Sequence, residues 1–119
     1  MARTGKDWLE DMRLAITDVE DFTRGIDKES FLGISTTDRR TLRAVSAALM
    51  QIGEAVKGLP EDMKARHPHI EWRQIAGLRD FLAHHYHRLE AEILWDVFSG
   101  EKFQELKVAI EAELGSFDS

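Results

Sequence analysis

An all-helical fold follows from three observations on this chain. Apolar residues recur at three- and four-residue spacing in several segments, as one buried stripe of a helix requires. No segment of useful length alternates with the two-residue period of a strand. Only two prolines interrupt a composition rich in Leu, Ala, Glu and Arg, the better helix formers. At 119 residues the chain has the size of one domain with a single core. The expected architecture is a bundle of about five to six helices over residues 1–119.

The first helix is expected over residues 4–24, with Trp8, Met12, Ala15, Ile16, Val19 and Phe22 inward and Gly25 ending it. Residues 26–37 read as a loop or a short turn, and Thr36, Thr37 and Asp38 offer N-cap oxygens to the next helix. That second long helix spans residues 38–57, burying Leu42, Val45, Leu49, Ile52 and Val56, and Gly58 and Pro60 close it. A short helix over residues 61–66 stops before His67-Pro68-His69, where proline removes a donor. The next begins near Glu71 with Ile75, Leu78 and Leu82 inward; no Gly or Pro marks a break, so whether it continues past Tyr86 is left open. Residues 90–98 are helical again, and a last helix runs from Ser99-Gly100 to about Leu114.

With no cysteine, a disulfide framework and every thiolate metal site are excluded, as befits a reducing compartment. No apolar run approaches the ~20 residues that span a bilayer. Residues 1–6 lead into no signal-like stretch. A soluble cytoplasmic protein with no membrane partner is expected. The net charge of -6 argues against a generic nucleic-acid coat. Its distribution is more informative: residues 1–30 sum to -3, 31–60 to +2, 61–90 to zero and 91–119 to -5. The middle of the chain is where an anionic ligand is not repelled. The acidic ends read as solvated helix faces, or as docking surfaces for a basic partner.

Chemistry concentrates in Arg79-Asp80-Phe81-Leu82-Ala83-His84-His85-Tyr86. Arginine is a permanent cation whose forked donors match phosphate oxygens, and histidine exchanges protons near neutral pH. The phenol of Tyr86 adds a hydroxyl. On a straight helix Arg79 and Tyr86 lie within about 20° of one face, but His84 lies about 140° round from Arg79. One chain therefore does not make a tight Arg–His couple, whereas a two-fold dimer can supply both groups to a shared cleft. The five histidines suggest a metal at first glance. Lacking cysteine and the four-residue pair spacing of a helical zinc clamp, they predict no native metal site. Gly53 is expected to permit close helix approach, and Trp72 and Trp95 to be core aromatics rather than stacking platforms for bases.

The arrangement Arg79-x4-His84-x-Tyr86 resembles the motif of the HepT-like branch of the HEPN superfamily. Further matches stand in order along the chain: Ile52-Gly53-Glu54-Ala55, His67-Pro68, Trp72, Gly77-Leu78-Arg79-Asp80 and Ile93-Leu94-Trp95, covering roughly residues 39–110. The resemblance implies a homodimeric HEPN helical bundle acting on RNA as a metal-independent endoribonuclease toxin, with no cofactor. It implies catalytic roles for Arg79 and His84. It also implies a minimal nucleotidyltransferase antitoxin as partner, silencing the toxin by attaching AMP to Tyr86. Asp80 stands where the family more often has Asn, setting a negative charge beside the phosphate site; Glu54 is a candidate supporting residue. Two other readings stay open: a non-catalytic module that binds a nucleotide or docks a nucleotidyltransferase, and a plain dimeric scaffold in which Arg79 and His84 pair structurally.

Overall fold

The structure is a computed structural model that describes residues 3–84 and 91–117. Among them it has eight helices and no strand: α1 (Gly5–Thr23), α2 (Lys28–Leu32), α3 (Ile34–Thr37), α4 (Arg39–Gly58), α5 (Glu61–Ala65), α6 (Trp72–His84), α7 (Ala91–Ser99) and α8 (Glu101–Phe117). The six expected helices are all present, with starts within one residue of, and ends within three residues of, those expected; where the helix from Glu71 stops beyond His84 lies outside the described residues. No described helix is long and apolar enough to cross a membrane.

Caps fix the helix starts. The Thr4 hydroxyl accepts from the Asp7 amide and the Asp7 carboxylate accepts from the Thr4 amide, a reciprocal pair that opens α1. Asp38 accepts from the Thr41 amide at 3.1 Å and opens α4. The buried stripe of α1 centres on Leu9, Met12, Ala15, Ile16 and Val19. Phe22, expected inside, is 40% exposed, while Leu9 is fully buried. Trp8 is half-buried, and its ring lies where a side chain at Gly58 would be, so glycine there lets α1 and α4 pack.

Residues 26–37 form two short helices. Asp27 caps the first through the Ser30 amide at 2.8 Å, and Phe31 and Ile34 plug into the core. Phe31 meets Trp95 and Phe98 of α7 at ring-centroid distances of 5.7 and 5.1 Å, in tilted and edge-on geometry. A segment this short gives too few apolar repeats to announce a helix by periodicity, and tertiary packing supplies the stability. Trp95 is thus a core aromatic, as expected.

The helix α4 lies at the centre, packed on one side by α1 and on another by α6, while α8 packs on α1. The crossing of α4 and α6 occurs at Gly53. A Cβ there would stand 2.8 Å from the Ile75 carbonyl oxygen and 2.9 Å from the Arg79 amide nitrogen. Both obstacles are backbone, so α6 could not accommodate it without moving. On α6 the core contact is narrower than expected: Leu82 is buried, but Ile75 and Leu78 are half-buried along a cleft of about 570 Å³ between α4, α6 and the start of α8.

A polar staple fixes the approach to α6. Glu113 of α8 is only 7% exposed. It accepts from Arg66 at 2.7 and 3.2 Å, and from Nε2 of His67 at 2.6 Å. The Trp72 indole N–H donates to the carbonyls of Lys64 and His67 at 3.0 and 3.2 Å. The hydrogen bonds from Arg66, and after them those from His67, hold the Glu113 carboxyl below the ordinary carboxylate range, against the upward push of burial.

This packing bears on stability in two testable ways. Alanine at position 53 gains about 1 kcal/mol of helix propensity but overpacks a backbone crossing, which costs about 1–3 kcal/mol. Gly53→Ala should therefore lower the thermal midpoint by a few degrees; a raised midpoint by circular dichroism would refute so close a crossing. Glu113→Gln keeps shape but loses charge-assisted hydrogen bonds, costing about 2 kcal/mol at neutral pH. The Glu113 carboxyl titrates lower folded than unfolded, so its contribution is complete above the ordinary carboxylate range and vanishes as pH falls through the lowered folded value. Denaturant midpoints of the two proteins should converge in acid; a constant gap would exclude ionisation of Glu113 as the cause.

Candidate functional site

The helix that carries the motif is positioned at three points: by the Trp72 indole at its start, by the Gly53 crossing in its middle, and by ion pairs near its end. Those ion pairs gather four charged side chains from α4 and α6. Arg79 Nε lies 3.4 Å from Glu54 Oε2, and Arg79 Nη1 lies 3.5 Å from Asp80 Oδ1. Lys57 Nζ reaches both oxygens of Asp80 at 3.3 and 3.4 Å. Two cations and two carboxylates make the cluster formally neutral.

These contacts are long for charge-assisted hydrogen bonds, and the Arg79 side chain is 41% exposed. Solvent-exposed pairs of this kind contribute about 0–1 kcal/mol. An incoming phosphate, which can take a guanidinium bidentately, faces little resistance in displacing a carboxylate from Arg79. Glu54 is the carboxylate through which the guanidinium pairs with α4. Asp80 does not leave an uncompensated negative charge beside Arg79, because Lys57 shares it.

His84 closes the described part of α6. Its Nδ1 lies 2.7 Å from the Asp80 carbonyl oxygen. A carbonyl only accepts, so Nδ1 carries the hydrogen and donates. In the neutral ring Nε2 then holds the lone pair, and the exposed imidazole presents it to solvent. No hydrogen bond or ion pair joins Arg79 to His84 among the described residues. Arg79 reaches across to α4, while His84 folds back on its own helix, in keeping with the angle of about 140° expected from a regular helix. Tyr86 lies outside the described residues.

Lys57 is the cluster member that sequence reasoning missed. It stands 23 residues from Asp80, and nothing local pairs them. The available signal was that Lys57 falls one turn beyond Gly53 on the helix whose glycine was expected to admit a close neighbour. The histidines at the His-Pro turn are otherwise engaged: His67 belongs to the Glu113 staple and its ring packs edge-on to Trp72 at 6.5 Å. Among the described residues no group of three or more His, Asp or Glu side chains is disposed to hold a metal ion.

The all-α bundle, with Arg79 and His84 on one helix, is consistent with a HEPN-type domain. Residues 12–113 match the family described as ribonuclease HepT-like, and the chain belongs to that family. It is 46% identical over 95 residues to a Thermococcus cleftensis protein named "Probable ribonuclease HepT", an alignment spanning 80% of this chain and 83% of that relative. A Methanocaldococcus jannaschii protein named "Putative RNase" is 43% identical over 91 residues, 76% of this chain and 69% of that one. A second from the same organism, also named as an RNase, is 30% identical over 109 residues, 92% of this chain and 95% of the relative. No solved structure matches the chain.

Proposed function

We propose that this protein is an endoribonuclease cleaving by attack of the ribose 2′-hydroxyl, with Arg79 and His84 as its catalytic residues. The observation that carries this is the orientation of His84. With Nδ1–H committed to the Asp80 carbonyl, Nε2 is the proton acceptor on the helix that also offers a loosely held guanidinium.

In the first step Nε2 removes the 2′-hydroxyl proton as that oxygen bonds to the adjacent phosphorus. The bond from phosphorus to the 5′-oxygen then breaks, and an imidazolium returns a proton to that oxygen. The ends are a 2′,3′-cyclic phosphate and a 5′-hydroxyl. Arg79 binds the phosphate and offsets the charge that builds in the pentavalent state. Side chains fill every role, so cleavage is expected to persist in EDTA. With His84 turned away from the Arg79 of its own helix, the arrangement fits a homodimer whose shared cleft supplies base, acid and cations from both copies.

The family resemblance supports a toxin–antitoxin role, with a minimal nucleotidyltransferase as partner and AMP attached to Tyr86 as the silencing mark. The physics is consistent with that: a phosphodiester two residues beyond His84 would compete with RNA phosphate for Arg79. A non-catalytic module that binds a nucleotide or docks a nucleotidyltransferase draws its support from the formal neutrality of the Arg79 cluster and the net charge of -6.

Purified unmodified protein should cleave RNA in EDTA, and His84→Ala should lose about 10²–10⁴-fold of the rate while keeping its fold and its dimeric mass. A folded dimer that leaves several RNAs intact would turn the assignment to the binding module. Asp80→Asn removes one negative charge from the cluster, and should lower KM for RNA several-fold with kcat little changed. An unchanged or higher KM would show that Asp80 does not oppose the phosphate.

A further inference from the structure

Positive charge in this acidic chain gathers on α4. Residues 39–57 hold Arg39, Arg40, Arg43 and Lys57 against a single carboxylate, Glu54, although the net charge of the protein is -6. All five side chains are exposed. At about 100° per residue, Arg39, Arg43, Glu54 and Lys57 fall within roughly 60° of one another round the axis. That face points away from the buried stripe of Leu42, Leu49, Ile52 and Val56. Lys57 shares the Asp80 carboxylate. Asp38, held below the ordinary carboxylate range first by the Thr41 hydroxyl and then by its amide, also feels the charge of Arg40. Among the described residues, however, the guanidinium groups of Arg39 and Arg43 make no ion pair and no hydrogen bond.

Helix stability does not call for these cations. Arg39 and Arg40 stand in the first turn of α4, which contains no acidic residue. There the positive end of the helix dipole disfavours a cation. The stripe does lead somewhere. Glu54 pairs with Arg79, so the face that carries Arg43 runs on to the guanidinium assigned to the scissile phosphate. Arg43 and Glu54 are eleven residues apart, about 16 Å along the axis, a span of a few nucleotides. The exposed residues between them are Ala47 and Gln51, so no carboxylate repels an anion along that path. Forked donors take phosphate oxygens bidentately, and a cationic groove that follows the backbone is how single strands are held. We infer that Arg39 and Arg43 form a phosphate track for the RNA strand, gripping its backbone a few nucleotides from the bond that is cleaved at Arg79. This rests on the ribonuclease reading and deepens it. Phosphate contacts fix the register of the strand without reading its sequence.

The test is binding of a fluorescent 2′-O-methyl oligoribonucleotide of about ten nucleotides, within the range one groove covers. Its blocked hydroxyls prevent cleavage, and anisotropy is followed across salt concentrations. Arg39→Gln with Arg43→Gln should weaken binding on the order of tenfold at low salt, and flatten the slope of log affinity against log salt by about 1.4, at ~0.7 per phosphate contact. Arg39→Lys with Arg43→Lys keeps both charges and should restore affinity and slope. A dinucleotide, too short to reach the start of α4, should be cleaved equally by the Gln pair and the wild type. Taking cations from the first turn should leave the thermal midpoint unchanged or raised. An unaltered salt slope in the Gln pair overturns the track, and so does an equal loss on the dinucleotide. A loss of affinity that tracks dissociation into smaller species by light scattering also overturns it, making the stripe a contact between copies. Wild-type protein that neither binds nor cleaves RNA sinks both readings. Wild-type cleavage with an unaffected Gln pair removes the track alone and turns the stripe to an acidic protein partner.

Discussion

The near contact of two helix backbones at Gly53 is the constraint on which the rest of this structure depends. The Ile75 carbonyl and the Arg79 amide occupy the space that any side chain at position 53 would need. Because α6 lies that close to α4, side chains flanking the glycine on α4 come within reach of the motif. Glu54 touches Arg79, and Lys57 one turn on meets Asp80. Helix propensity alone would favour alanine at this point. Glycine gives up about 1 kcal/mol of propensity there, and the absence of a Cβ is what lets the two backbones come so close.

The two ends of α6 are held by different physics. Its start is anchored by a nearly buried carboxylate, Glu113, that collects Arg66 and His67 while the Trp72 indole ties the turn to itself. Such a network is costly to break, because removing one member leaves a charge without its partners in a low dielectric. The far end is held by exposed ion pairs that contribute little and exchange easily. A firmly held entry and an exchangeable exit are the arrangement that the proposed binding of a phosphate by Arg79 asks for.

The long helices were legible because each sequence signal acts locally. Thr4 and Asp38 cap the amides three residues on, and the apolar repeats of α1 and α4 need only their own helix to define a face. The two short helices between residues 28 and 37 were not legible. Their stability comes from Phe31 meeting Trp95 and Phe98, more than sixty residues later in the chain. Phe22 followed the periodicity of α1 and still stands exposed, since a stripe says which face is apolar but not how far the neighbouring helices extend over it. Ile75 and Leu78 are only half-buried for a related reason, the cleft that separates α6 from the start of α8.

For the candidate site, the sequence by itself determined the residue types and their angular order. Arg79, Asp80 and His84 follow from position, and the angle of about 140° between Arg79 and His84 is a property of any regular helix. The helical class and the family likewise rest on periodicity and on short motifs in order, which survive without coordinates. Only the tertiary structure decided the partners: Lys57 on Asp80, Glu54 on Arg79, and the inward carboxylate of Glu113 on Arg66 and His67. The division has one physical cause. Backbone geometry and capping act within a few residues, whereas charge pairing and burial depend on which distant helix arrives alongside.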